Sequence, residues 1–215
     1  MTTVSKWSNV GVALQSSLAT AITITGITKA NPGVVTYTGT DPTNGDYVKM
    51  DTLGMFQVDD KVYRVANENA GANTFELEGE DTTLYDTFVS GTGQVITFGT
   101  TINTLTGLTA NGGNFDFLDI TTIHDAIKKQ IPGIANPVSY QFESLWDVAD
   151  AGLKALKLAS DNQSQLAVRF SFASGAKVLF LGYVGCTLIP GGTALQVVKT
   201  SVDITAFGRP VVYST

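Results

Sequence analysis

His124 is the single histidine among 215 residues, and Asp116, Asp119 and Asp125 stand around it, residue types that a metal or hydrolytic site would draw on. The same residues have a plainer use. His124-Asp125 adjoins a stretch of helical spacing, where acids and polar side chains satisfy free backbone N–H groups. Covalent catalysis needs a nucleophile, a base and an orienter, and the one histidine would have to fill every role. Gly191-Gly192-Thr193 lacks the lysine and the spacing of a phosphate loop and reads as a turn. The lone cysteine, Cys186, excludes an intramolecular disulfide; it sits in an apolar run, reads as a buried inert thiol and suits a reducing interior. Lys128-Lys129 and Lys154 with Lys157 are scattered bases and form no stripe for nucleic acid. These readings point away from an enzyme, a cofactor or a metal.

The elements that hold these residues are mostly strands. Leu166, Val168, Phe170 and Phe172 fall at every second position with Arg169 and Ser171 between them, the period of a strand with one wet face. Ser174-Gly175 turns the chain. Lys177 to Leu188 is apolar on both faces, as in a central strand covered twice, and Pro190-Gly191-Gly192 turns it again. From Leu195 to Ile204 the alternation returns, with Val198, Val202 and Ile204 opposite Lys199, Ser201 and Asp203. The spacing predicts an antiparallel meander, and Arg169, Ser171, Lys199, Ser201 and Asp203 are its candidate wet-face positions.

Before that meander, Val10, Val12 and Leu14 suit a first strand. From about Thr20 to Thr100 the chain is dense in Thr, Asn, Gly and Asp, with short alternating runs separated by turn signals such as Asn31-Pro32-Gly33 and Asp41-Pro42-Thr43-Asn44-Gly45. Half a dozen such strands make a small barrel or sandwich. Eleven acids against four bases leave this stretch at −7, and eight acids against nine bases leave the remainder at +1. The boundary in charge matches the boundary in texture and suggests a domain at 20–100 inserted between 1–19 and 101–215. Beyond it, Ile102 to Leu108 and Phe115 to Ile120 read as strands around Asn111-Gly112-Gly113. Ile123, Ile127 and Ile131 predict a short helix stopped by Pro132-Gly133. Val138 to Leu145 alternates, and a helix over about 148–159, capped by Asp147, carries the stripe Val148, Gly152, Leu153, Leu156 and Ala159. Trp7 and Trp146 suit either the core or a subunit interface. No apolar run is long enough to cross a bilayer, and the interrupted N-terminal patch is no signal peptide, so a soluble, unexported protein is expected.

The order of Phe117-Leu118-Asp119-Ile120-Thr121-Thr122, Ile131-Pro132-Gly133, the single helix at Asp150 to Leu156, the strand Leu166 to Phe172 and the closing Asp203-Ile204-Thr205-Ala206-Phe207-Gly208-Arg209-Pro210 resembles the tail tube, or major tail, proteins of long flexible-tailed bacteriophages. The resemblance covers 101–213 well and 1–19 weakly. The stretch Ile24 to Thr36, with Asn44-Gly45-Asp46 and Thr74-Phe75-Glu76-Leu77, resembles a small β-barrel module of phage structural proteins that shares its fold with a half-domain of ubiquitin-activating enzymes. The resemblance implies a mainly β tail-tube fold, an antiparallel sandwich or barrel with one flanking helix plus the inserted all-β domain. It implies no catalytic, cofactor-binding or metal residues.

The expected function is that of a structural virion protein, assembled in the host cytoplasm. Rings, hexameric by family analogy, would stack into a tube around a tape-measure protein, meet tail-tip or terminator proteins, and conduct viral DNA without binding it specifically. With the tube body at +1, a neutral or mildly acidic lumen is expected, with the five wet-face residues as candidates. The inserted domain is expected to project outward. A β-rich adhesin or carbohydrate-binding module is the alternative, favoured only by aromatics concentrated on one exposed face.

Overall fold

The structure is a computed structural model and describes residues 7–214. Its strands are β1 (Gly11–Leu18), β2 (Ile22–Ile27), β3 (Val34–Thr38), β4 (Tyr47–Leu53), β5 (Val62–Asn69), β6 (Thr74–Leu77), β7 (Ser90–Ile102), β8 (Leu105–Asn111), β9 (Phe115–Asp119), β10 (Gln130–Ala135), β11 (Ser139–Leu145), β12 (Gln165–Ser171), β13 (Lys177–Gly185), β14 (Lys199–Ala206) and β15 (Val211–Tyr213). The single helix described, α1, spans Ala151–Asp161. The fold is mainly β and antiparallel.

Two closed or nearly closed units share one strand. The order β2-β3-β6-β5-β4-β7 closes through a further β7–β2 pairing, so six strands form a barrel. Residues 90–96 of β7 pair with β4, and residues 96–102 continue into pairing with β1. From β1 the sheet runs on through β12, β13, β14 and β11 to β8. Val10 and Val12 then face Leu105 and Leu108 across a cleft of about 230 Å³, which brings the β8 edge back towards β1. This second unit, the body, therefore wraps its own core, and β12 stands across that core from β11. Phe142 on β11 meets Phe170 on β12 edge-on at 5.9 Å between ring centres, and Tyr140 stacks on Phe180 at 4.3 Å.

The apolar residues divide accordingly. Val12, Leu14, Phe142, Leu153, Phe170 and Ile204 belong to the body core. Ile22, Val35, Met50, Tyr63, Phe75 and Leu77 belong to the barrel core. A third cluster joins them: Tyr47, Val62 and Ile96 from the barrel side pack on Ala167, Leu179, Leu181 and Tyr213. The Tyr213 hydroxyl accepts the backbone N–H of Arg64 at 2.7 Å, and Lys49 Nζ donates to Gln165 Oε1 at 2.7 Å.

That junction corrects the expected wet face of β12. Arg169 and Ser171 are half-buried because the barrel lies over this part of the strand. The Arg169 guanidinium stands 4.8 Å from the Phe98 ring centre and 5.4 Å from that of Tyr47, within cation–π reach of both rings, which themselves meet edge to face at 5.5 Å. Its Nε is buried without a hydrogen-bond partner.

Three other expectations change. Residues 123–131 form no helix: Gln130–Ala135 pairs with Phe115–Asp119 in a separate two-stranded hairpin, and Ile123 and Ile127 sit in its exposed loop. Isoleucine at i, i+4 and i+8 also satisfies the even spacing of a strand and its turn. The α1 cap is Asp150, whose carboxylate accepts the Leu153 N–H at 2.8 Å, while Asp147 accepts from Ala149 in the preceding turn. Val148 consequently lies outside the helix and is exposed, whereas Gly152, Leu153, Leu156 and Ala159 are buried as the stripe predicts. Finally, β14 begins at Lys199, and Leu195 lies in a loop at φ 67°.

Gly152 fixes how closely α1 approaches the sheet. A Cβ there would lie 2.8 Å from the Ile102 Cα and 2.8 Å from the Thr101 carbonyl oxygen, both backbone atoms that cannot turn aside. Alanine would gain about 1 kcal/mol in helix propensity, but overpacking of about 1–3 kcal/mol acts against it. Gly152→Ala is expected to lower the urea midpoint of unfolding; an unchanged or raised midpoint would show that α1 has room to move.

Candidate functional site

The carboxylates around His124 are engaged locally. Asp125 accepts from the Thr122 N–H and hydroxyl, both at 3.0 Å, and is paired with Lys129. Asp119 accepts the Thr121 N–H at 2.8 Å, with Lys128 Nζ 3.3 Å away. Asp116 accepts from Asn136 Nδ2 at 3.0 Å. These bonds, first among them those from the Thr121 hydroxyl and the Lys129 ammonium, hold the Asp119 and Asp125 carboxyls below the usual carboxylate range. Among the described residues, no group of three or more His, Cys, Asp and Glu is placed to hold a metal ion. Asp125 does satisfy a backbone N–H, that of Thr122, but in a loop that joins two strands and not at a helix start.

A more extensive feature lies on β8, β11 and β14. Backbone pairing sets Thr109, Gln141 and Asp203 side by side, and Gly107, Glu143 and Ser201 in the next row. Thr205 stands opposite both Ser139 and Tyr183. Along β14, Ser201, Asp203 and Thr205 are exposed while Thr200, Val202, Ile204 and Ala206 are buried, so strict alternation gives a bare face outside and a core face inside. Lys199 is half-buried and donates to Glu143 Oε2 at 2.9 Å. The face is therefore polar, with one pair of opposite charges and the single further acid Asp203.

All five residues singled out from the sequence point to the same side of one curved sheet, since Arg169 pairs with Leu179 on β13, and Tyr183 further along β13 pairs with Thr205. The structure separates them nonetheless. Ser201 and Asp203 are open, Lys199 is at their border, and Arg169 and Ser171 lie under the barrel. Sequence reasoning missed Thr109, Gln141, Glu143, Tyr183 and Thr205. The alternation of Tyr140 and Phe142 marked Gln141 and Glu143 as outward, but strand register was needed to put them beside Asp203.

The third feature is the β9–β10 hairpin, which leaves the sheet between Asn111 on β8 and Ser139 on β11. At its root Gly112 has φ 91°, and a Cβ there would come 2.1 Å from the Pro137 carbonyl oxygen. Arg209, in the Gly-Arg-Pro segment, places its guanidinium 4.8 Å from the Phe115 ring centre. Beyond this root, and beside its two ion pairs, the hairpin exposes many apolar side chains: Phe117, Leu118 and Ile131 are exposed, Ile134 is 87% exposed and Ile123 is 96% exposed. A two-stranded ribbon has no core of its own, and so many apolar side chains in one projection mark an interaction surface.

A polar sheet face and an exposed apolar arm are thus the most extensive surface features of the described residues. Residues 54–215 match the sequence model of the phage tail tube protein family, and the chain belongs to that family. It is thus a structural component of a virion tail, not an enzyme. The match starts in the turn after β4 and takes in β5 to β7 as well as the body. A comparison with curated proteins returns no match. No helix among the described residues is long and apolar enough to cross a membrane.

The ion pair on the wet face has a measurable consequence. The Lys199 ammonium holds the Glu143 carboxyl below its ordinary range. The pair therefore persists as pH falls through the usual carboxylate range, and is lost only when pH passes Glu143's depressed value. In a carboxyl NMR titration Glu143 should protonate at lower pH than an unpaired glutamate, and Lys199→Met should return it towards that value. Identical titration curves in the two proteins would place Lys199 away from Glu143 in solution.

Proposed function

We propose that copies of this protein close into rings, hexameric by family analogy, and that the rings stack into the tube through which phage DNA leaves the particle. Membership of the tail tube family carries this reading, and the bare apolar hairpin supports it, because an isolated copy leaves that surface uncovered. Ring contacts are heterologous, and repetition of one such contact closes the ring. The β8 edge is capped when a neighbouring copy continues the sheet.

The β8-β11-β14 face is the proposed lumen wall. It is hydrated and nearly neutral, and lacks the concentrated positive charge that would hold phosphates and retard passing DNA. Ser201 and Asp203 remain lumen candidates, joined by Gln141, Glu143 and Thr109, with Lys199 neutralised by its partner. Arg169 and Ser171 serve the junction with the barrel. The barrel covers β12, and β12 lies across the body core from β11. A lumen wall centred on β11 therefore sends the barrel to the outside of the tube.

The acidic barrel is proposed as an insert between β1 and the end of β7. The hydrogen bond from Ala19 N–H to Val95 O, 2.9 Å, supports this, since the chain leaves the body and re-enters it at neighbouring points. The proposed partners are other copies of this chain, a tape-measure protein inside the tube, and tail-tip and terminator proteins at its ends. Assembly is proposed to take place in the host cytoplasm.

A gold-binding peptide inserted after Ala70, in the exposed β5–β6 turn, tests the orientation. Electron micrographs of the assembled protein should show gold along the outer wall. Gold confined to the bore, or a tagged protein that folds but no longer assembles although the untagged protein does, would overturn the outward placement.

A further inference from the structure

Asparagine is followed by glycine at two places in the chain, Asn44-Gly45 and Asn111-Gly112. Such a pair is reactive because the asparagine side-chain carbonyl carbon and the next backbone nitrogen can close a succinimide ring, and glycine puts no side chain in the way. The two glycines have almost the same φ, 93° and 91°, so backbone conformation alone does not distinguish the sites. Hydrogen bonding does. In the barrel, Gly45 N–H donates to Val65 O at 2.9 Å and Asn44 Oδ1 accepts the Glu68 N–H at 2.8 Å, so nucleophile and electrophile are both held in place. At the hairpin root, Asn111 and Gly112 are exposed, and neither the Gly112 N–H nor the Asn111 side-chain amide makes a hydrogen bond among the described residues. A hydrogen-bonded amide gives up its proton only when its segment opens, whereas a free one at the surface exchanges readily. The turn itself requires glycine here, because a Cβ on Gly112 would come 2.1 Å from the Pro137 carbonyl oxygen. The residue that admits the reaction is therefore the one the fold needs.

We infer that Asn111-Gly112 is a self-modification site, at which the chain converts Asn111 to aspartate and isoaspartate with water as the co-reactant. The Gly112 nitrogen gives up its proton and bonds to Cγ of Asn111; the Cγ–Nδ2 bond breaks, and Nδ2 leaves as ammonia carrying that proton. Water then opens the succinimide. Attack at Cγ restores the main chain and leaves aspartate, while attack at the Asn111 main-chain carbonyl leaves isoaspartate. The sum is a water consumed and an ammonia released, with no change of oxidation state. Isoaspartate carries the main chain through Cβ and Cγ, which adds a methylene between the residue paired with Ser139 and a glycine with no spare room beside Pro137. Both products place a carboxylate where the amide was. The effect falls on the first rungs of the hairpin, where Gly113 N–H donates to Asn136 O at 3.2 Å and Asn136 N–H donates to Asn114 O at 2.8 Å. The reaction depends on this chain's own backbone and proceeds whether or not copies assemble.

The test keeps the full-length protein folded in mildly alkaline buffer, which favours loss of the amide proton, and samples it over weeks by peptide mass mapping and isoaspartate-specific methylation. The peptide containing Asn111 should gain the mass of an amide-to-carboxyl change, mostly as isoaspartate, with a matching release of ammonia. Asn111 should react at least about ten times faster than Asn44, which is free to react only when its turn opens. In urea, where the bonds holding Asn44 and Gly45 are lost, the two sites should convert at comparable rates. Asn111→Gln, a change at an exposed position, should abolish the conversion, since glutamine closes its larger ring far more slowly. An Asn111 that stays intact, or an Asn44 that converts as fast in the folded protein, would overturn the site. A difference that persists in urea would trace the selectivity to neighbouring sequence and overturn its structural basis. Hydrogen exchange at Gly113 and Asn136 should be faster in the isoaspartate form than in Asn111→Asp, which adds the charge without lengthening the chain; equal exchange in the two would overturn the effect on the hairpin root.

Discussion

One strand, β7, holds the molecule together. Its first half gives its backbone groups to β4 and β2, and its second half gives them to β1. Every buried backbone N–H and C=O needs a partner, so neither unit can complete its sheet without the strand that also belongs to the other. The junction cluster around Tyr47, Ile96 and Leu181 then removes from water the apolar surface that a flexible tether would expose. The barrel is accordingly held in a fixed orientation over β12. That orientation determines which part of the sheet face stays open.

The same constraint explains the distribution of polarity. Where the barrel covers the sheet, odd-numbered positions are buried, as at Ala167, Leu179 and Leu181, or half-buried, and Arg169 finds two aromatic rings in place of water. Across the core, the corresponding face on β14, β11 and β8 has no cover and carries Thr, Gln, Ser and a paired charge. Apolar side chains are exposed in the hairpin and in the 186–198 loop, and also on the barrel at Leu53, Phe56, Leu84 and Val89.

Much of this was legible in the sequence. Period-two alternation gave β1, β11, β12 and β14 their core faces, and the i, i+3, i+4 stripe gave α1 its buried side, because both signals depend on local geometry alone. Composition and charge marked the acidic stretch whose six strands close into the barrel. What escaped depends on contacts far apart in the chain. No local pattern shows that Arg169 meets Tyr47 and Phe98, or that Gln141 lies beside Asp203. Isoleucines spaced by four suit a helix as well as a strand leading into a loop, and with no core behind them Ile123 and Ile127 stay in the open. Asp147 and Asp150 both precede the helix, and only backbone geometry assigns the cap to the second.

A reconstruction by electron cryomicroscopy of the particles formed by the purified full-length protein would test the central claim most directly. The account predicts a hollow tube of stacked rings, with Gln141, Ser201 and Asp203 on the inner wall, β12 facing away from the bore and the barrel outside. A tube with those residues on its outer surface and the barrels turned into the bore would contradict it.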